Sequence, residues 1–146
     1  MRRICEVTTL FVMTLALAFA GASSASAAPV VKTGAFYKVK IEVSGQGDSK
    51  VAKITVTGIK GYHCNLLYPW KLTLEAPQGV TVEKAKYKAG PKVKKDATAY
   101  GEDAIVFTVP YEATDGSKAV NAKLKLSLCD DKQCQMETVS LSWPAR

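Results

Sequence analysis

Residues 122–141, AKLKLSLCDDKQCQMETVSL, contain two segments in which apolar and polar residues alternate, with four polar residues between them. Alternation with a period of two is typical of a β-strand that buries one face. The stretch therefore predicts a β-hairpin with a four-residue loop at 130–133, in which Cys129 and Cys134 lie directly opposite each other. Strand parity places Cys129 on the polar face of its strand, opposite the leucines, and so outside the core.

The same alternation recurs along the chain and predicts seven half-buried strands in all. Turn-forming residues such as those at 45–48, 77–79 and 115–117 separate them, and no segment shows a helical stripe. Two antiparallel sheets packed face to face hide seven such strands, so we expect an all-β, immunoglobulin-like sandwich. The apolar positions outside the first strand of the hairpin are Tyr37, Val39, Ile41 and Val43; Ala52, Ile54 and Val56; Leu72, Leu74 and Ala76; Val80 and Val82; Ile105, Phe107, Val109 and Tyr111; and Val139, Leu141 and Trp143.

The amino terminus has the pattern of a secretory signal peptide. Arg2 and Arg3 precede an apolar run at 10–20, and the small residues at 25–27 form a typical cleavage site. We therefore expect residues 1–27 to be removed and residues 28–146 to form a single exported domain, in the periplasm or secreted. The apolar run is too short for a membrane span, and we expect no transmembrane segment in the mature chain.

The mature chain carries 18 basic and 12 acidic residues, and all but one of the basic residues are lysines. Proteins that read nucleic acids usually depend on arginine, which makes a nucleic-acid partner unexpected. The sequence has no motif of a hydrolase or of a nucleotide-binding enzyme, and we expect a monomer without a cofactor or a metal.

Three uses of the cysteine pair follow from the residues alone. A bridge between Cys129 and Cys134 could be a local staple, for which the chain-entropy model gives about 2 kcal/mol in so small a loop. It could instead be a reducible bridge that exchanges with a partner thiol. A zinc set of both cysteines with Cys64 and His63 has the right ligand types, but not the spacing of a zinc knuckle.

Two irregular stretches, at 58–70 and 84–101, interrupt the strand pattern. Loops on a rigid sandwich are common places for binding. His63 and Cys64 lie in the first stretch, and Cys64 is a candidate resolving thiol for the hairpin pair if this loop lies over it. The aromatic residues there, Tyr62, Tyr68 and Trp70, either form a recognition surface or cap the end of the sandwich.

Residues 60–143 resemble the N-terminal periplasmic domain of the thiol:disulfide interchange protein DsbD. Three blocks carry the resemblance: GYHCNLLYPWKLTL at 61–74, PQGVTVE at 77–83, and the hairpin at 122–141. The resemblance implies an immunoglobulin-like thiol-disulfide exchange module. Cys129 and Cys134 would be its catalytic redox pair, and Tyr87 would stand in the loop that shields them.

In that family the domain exchanges electrons with a membrane-embedded donor and with thioredoxin-like proteins. The resemblance therefore implies a thioredoxin-like or membrane thiol-disulfide exchange partner supplied by another chain. The alternative is a non-catalytic β-sandwich of the cell envelope, with a binding or structural role. In it the disulfide is only a local clamp, and the loops at 61–70 and 84–101 contact a partner.

Overall fold

The computed structural model describes residues 26–93 and 96–146. The predicted signal peptide therefore lies almost entirely outside the described part of the chain. The described residues form eleven β-strands: β1 (Val30–Thr33), β2 (Tyr37–Gln46), β3 (Ser49–Gly58), β4 (His63–Cys64), β5 (Trp70–Glu75), β6 (Val80–Val82), β7 (Lys86–Ala89), β8 (Ala97–Tyr100), β9 (Ala104–Ala113), β10 (Ala119–Cys129) and β11 (Cys134–Pro144).

The strands form two antiparallel sheets. The first sheet has the order β1-β2-β3-β9-β6, with β8 also paired to β9, and the second has the order β11-β10-β5-β7, with β4 paired to β10. The prediction of an all-β, immunoglobulin-like sandwich is confirmed. In the part of the chain that the structure describes, no helix is long and apolar enough to cross a membrane.

The seven predicted strands are β2, β3, β5, β6, β9, β10 and β11. Their apolar sides face each other and form one core, because residues at every second position of a strand point to the same face. Trp143 is in this core, as its phase with Val139 and Leu141 predicts. The largest fully buried side chains are Trp70, Trp143, Phe107, Ile41, Ile54, Leu72, Ile105, Leu124, Leu126, Leu128, Val39 and Val56.

Four short strands were not predicted: β1, β4, β7 and β8. Three of them, β4, β7 and β8, lie in the stretches at 58–70 and 84–101, which the sequence predicts to be irregular loops. Strand β7 does alternate, with Tyr87 and Ala89 buried and Lys86 and Lys88 exposed. Its four residues are too few to stand out in a lysine-rich segment, and the strand forms because β5 offers it a partner from Trp70 to Thr73.

Candidate functional site

The cysteine hairpin has the predicted register. Cys129 ends β10 and Cys134 begins β11, and the two residues are direct partners across the strands. Their sulfurs form a disulfide, with the Cα atoms 3.9 Å apart. Cys129 is half-buried and Cys134 is exposed, on the outer face of the second sheet.

The turn beyond the disulfide is closed by its own hydrogen bonds. The Asp130 amide donates to the Gln133 carbonyl at 2.9 Å. The Asp130 carboxylate accepts the amides of Lys132 and Gln133, each at 2.8 Å. These two backbone hydrogen bonds, that from Lys132 first, lower the pKa of Asp130. The hairpin end is therefore ordered by an aspartate turn as well as by the disulfide.

Strand β4 lies beside the disulfide and presents its two residues to opposite faces. His63 pairs with Cys129, and Cys64 pairs with Leu128. Cys64 is only 1% exposed, and its thiol faces the Val56 carbonyl at 3.8 Å. Burial raises the pKa of Cys64 to about 11. The structure thus brings His63 next to the disulfide and directs the Cys64 thiol into the core, on the other side of the sheet.

Neither the zinc arrangement nor the shielding residue is assembled at the hairpin. A set of Cys129, Cys134, Cys64 and His63 would need Cys64 on the outer face, where its thiol does not point. The described residues contain no group of three or more His, Cys, Asp or Glu side chains that could hold a metal ion. Tyr87 is buried in β7 opposite Leu72, on the inner face of the sheet. It therefore does not cover the disulfide.

The loop that does lie over this end of the sheet is formed by residues 65–69, which we call the platform loop. Asn65 fixes it to β10, because its amide donates to the Ser127 carbonyl at 3.0 Å and its Nδ2 donates to the Ser127 hydroxyl at 3.2 Å. Ser127 is fully buried beneath the loop, although its strand parity places it on the outer face. The same Asn65 Nδ2 lies 4.0 Å from the Cys134 sulfur.

The platform loop is also held from within and from its other side. The Asn65 side-chain oxygen accepts the Leu67 amide at 3.0 Å, and the Asn65 carbonyl accepts the Trp70 indole N–H at 2.8 Å. The Tyr100 hydroxyl donates to the Leu66 carbonyl. On this anchored loop Leu67 is 82% exposed.

The aromatic residues near the platform loop mostly pack, as the capping alternative predicts. Trp70 is 1% exposed, and Tyr62 and Tyr68 are partly buried against the core. The Tyr62 hydroxyl accepts a hydrogen bond from the Gln133 side chain at 3.4 Å, which ties the loop region to the hairpin turn. Sequence reasoning missed Asn65 and Ser127 as the anchor of this site. The sequence offers one indication of this anchor, namely that both residues are polar and stand next to apolar positions.

No protein-family model and no curated protein matches this chain. Among solved structures, the chain is similar to the GAE domain of yeast GGA1, with a TM-score of 0.50 and 12% identity, over 80% of this chain and 99% of that chain. It also matches the GAE domain of GGA2p from Saccharomyces cerevisiae, with a TM-score of 0.41 and 16% identity, over 82% of this chain and 100% of that chain. At this level of identity the likeness to the GGA1 domain shows the fold alone.

These comparisons correct the identification made from the sequence. The chain is similar in fold to the GAE domain of GGA1, and no protein-family model matches it, so the assignment of residues 60–143 to the periplasmic domain of DsbD is wrong. The thiol-disulfide exchange function and the thioredoxin-like or membrane thiol-disulfide exchange partner rested on that assignment, and both are wrong with it. The physical reason is that two cysteines opposed at a hairpin end are a local feature, which any antiparallel sandwich can contain.

Proposed function

We propose that this chain is a non-catalytic β-sandwich binding module of the cell envelope, in which the Cys129–Cys134 disulfide is a local clamp. The platform loop with the cysteine hairpin below it is the candidate binding surface. The observation that carries the proposal is Leu67, which is 82% exposed on a loop that several hydrogen bonds hold in place. Because the loop is already held in place, a partner that covers Leu67 does not have to order it first, which lowers the cost of binding.

The surroundings of the disulfide support a clamp. In the mature chain the one remaining cysteine, Cys64, points away from it, and burial holds the Cys64 thiol protonated with a pKa of about 11. Cys64 is therefore not placed to act as a third, resolving thiol for a mixed disulfide at this site. The bridge instead joins the ends of β10 and β11 directly below the Asn65 anchor.

The proposed location rests on the predicted signal peptide at residues 1–27 and on the disulfide. Disulfides persist in oxidising compartments such as the periplasm and the cell exterior. Both features agree with an exported domain that begins near residue 28.

Replacing both hairpin cysteines by serine tests the clamp. We expect Cys129→Ser with Cys134→Ser to lower the free energy of unfolding by about 2 kcal/mol, because a six-residue closed loop gains little from cross-linking. The fold should be retained, because the Asp130 hydrogen bonds close the turn independently. Urea unfolding followed by circular dichroism measures the change.

The matched control is Cys64→Ala, which removes a thiol without touching the disulfide. This substitution leaves a small cavity in the core and should lower the free energy of unfolding. The Cys129–Cys134 disulfide and the hairpin turn should stay intact. A double serine variant that is as stable as the parent chain would contradict the clamp.

A further inference from the structure

The outer face of the second sheet carries lysines in register on three neighbouring strands. Lys125 of β10 pairs with Lys71 of β5, and Lys71 pairs with Lys88 of β7. Two residues further along β5, Thr73 pairs with Lys123 of β10 on one side and with Lys86 of β7 on the other. Because neighbouring strands are about 4.8 Å apart, the first row places the backbones of three lysines within about 10 Å on one face.

Within the described residues only one of these five lysine side chains forms an ion pair. Lys123 forms an ion pair with Glu75 at 3.0 Å, at the far end of the face. The Asp96 carboxylate, near Lys88, pairs with Lys84 at 2.7 Å and accepts the Lys88 amide at 3.0 Å. Like charges directly opposite each other on adjacent strands destabilise a sheet. The row of Lys125, Lys71 and Lys88 is therefore unfavourable in the isolated molecule and favours an anionic partner.

Exposed apolar side chains lie at the edge of the same face. Met136 pairs with Ser127 in the hairpin and is 69% exposed. Leu67 is on the platform loop, which lies on Ser127. Val93, 37% exposed, lines a shallow groove with Tyr68, Pro69, Trp70 and three lysines, Lys71, Lys88 and Lys125.

Of the four exposed large apolar residues in the described ranges 26–93 and 96–146, three therefore adjoin the lysine rows, and the fourth, Val31, is on the first sheet.

We propose that this lysine face, defined by Lys71, Lys86, Lys88, Lys123 and Lys125, docks on the surface of an anionic lipid bilayer. Leu67 and Met136 enter the interfacial layer beside it. The inference rests on the proposed function and names the partner of that binding surface. Lysines near an anionic membrane each contribute about a fivefold gain in binding, and exposed apolar side chains add the burial that makes the contact persist.

The residue types favour a bilayer over an acidic polypeptide. The basic residues of this face are all lysines, which are flexible point charges suited to mobile headgroups, whereas fixed carboxylates are matched better by the planar fork of arginine. Leu67 protrudes, with 82% of its surface exposed, and such a side chain suits insertion into a fluid interface. A folded partner would instead need a preformed recess for it.

Sedimentation with lipid vesicles tests the proposal. The chain is used from Ala28 onward, which removes the apolar segment at 10–20; the core lies between Tyr37 and Ala145, so this part contains all of it. Vesicles of equal parts phosphatidylglycerol and phosphatidylcholine should bind the protein, and binding should weaken as salt is added. Vesicles of phosphatidylcholine alone should not bind it measurably.

The variants compare equal losses of charge on the two faces. Lys71→Gln with Lys125→Gln should weaken partitioning about 10- to 30-fold. The matched control, Lys38→Gln with Lys53→Gln, removes two exposed lysines from the first sheet and should change partitioning less than about threefold. Leu67→Ser with Met136→Ser keeps the charge and should also weaken binding. Unfolding midpoints of all variants check that the fold is intact.

Three results would overturn the proposal. One is no binding to the anionic vesicles, a second is an equal loss in the control variant, and the third is tighter binding to soluble poly-glutamate than to the vesicles. Any of these leaves the clamp and the non-catalytic role standing, because those are tested by the unfolding of the cysteine variants and by the redox titration of the disulfide.

Discussion

Replacing Trp70 by alanine is expected to lower the free energy of unfolding by about 3–5 kcal/mol. Trp70 begins β5, is 1% exposed, and is among the largest fully buried side chains. Its truncation leaves a cavity between the sheets and also removes the indole N–H that holds the Asn65 carbonyl at 2.8 Å. The variant should therefore lose core packing and order in the platform loop together. Guanidinium unfolding of the parent chain and of Trp70→Ala measures the difference in the free energy of unfolding.

Two further substitutions separate these contributions. Trp70→Phe keeps much of the buried area but not the hydrogen bond, and should cost less than Trp70→Ala while still loosening the platform loop. This variant remains informative if the alanine variant does not fold. Leu67→Ala, at an exposed position on the same loop, should stay within about 0.5 kcal/mol of the parent. A loss below about 1 kcal/mol for Trp70→Ala would contradict the described packing.

Gly58→Ala is expected to lower the free energy of unfolding by about 1–3 kcal/mol. Gly58 ends β3, and a Cβ atom there would lie 1.8 Å from the Tyr62 carbonyl oxygen and 2.4 Å from the Tyr62 carbonyl carbon. Both are backbone atoms of the segment that leads into β4, so no side-chain rotation can relieve the overlap. The whole segment over the cysteine hairpin must shift. Chemical unfolding measures the change in the free energy of unfolding. The rate of hydrogen exchange at the backbone amides of His63 and Asn65 should also rise.

Gly101→Ala is the matched control for this substitution. The nearest atom to a Cβ at Gly101 is the Ala104 carbonyl oxygen, at 3.9 Å. This is ordinary van der Waals contact, so we expect a change within about 0.5 kcal/mol. Equal effects at Gly58 and Gly101 would show that the close approach of residues 58 and 62 is not present in the folded protein.

The regular part of this structure follows from local sequence. Alternation fixes which side chains of each long strand are buried, so the sandwich, the core position of Trp143 and the opposition of Cys129 and Cys134 were all predictable. The burial of Ser127 was not, because it depends on a loop that is distant in sequence and lies on the outer face. For the same reason strand parity alone could not show that Asn65 anchors that loop.

The orientation of Cys64 was equally inaccessible. A strand of two residues is too short for alternation to show which side chain is buried. The thiol of Cys64 points inward because Cys64 pairs with Leu128. The lysine rows show a similar limit. Alternation predicts the outward-facing lysines of β5 and β10, but their alignment with those of β7 requires the strand order β10-β5-β7, which the sequence does not specify.

The resemblance to DsbD misled for a related reason. The blocks that carried it are short alternating strands and a cysteine hairpin, and these features are set by the local demands of an antiparallel sheet. They constrain the architecture, which was right. They do not constrain what the sulfurs do, because reactivity depends on neighbouring thiols and charges brought together by the whole fold.

The reduction potential of the Cys129–Cys134 bridge tests the central claim most directly. It is obtained by equilibrating the chain from Ala28 onward with dithiothreitol redox buffers and counting free thiols. A clamp that no partner opens should lie below about −300 mV, beyond reduction by a glutathione pool. A value between about −120 and −270 mV, the range of thiol-disulfide exchange proteins, would contradict the account.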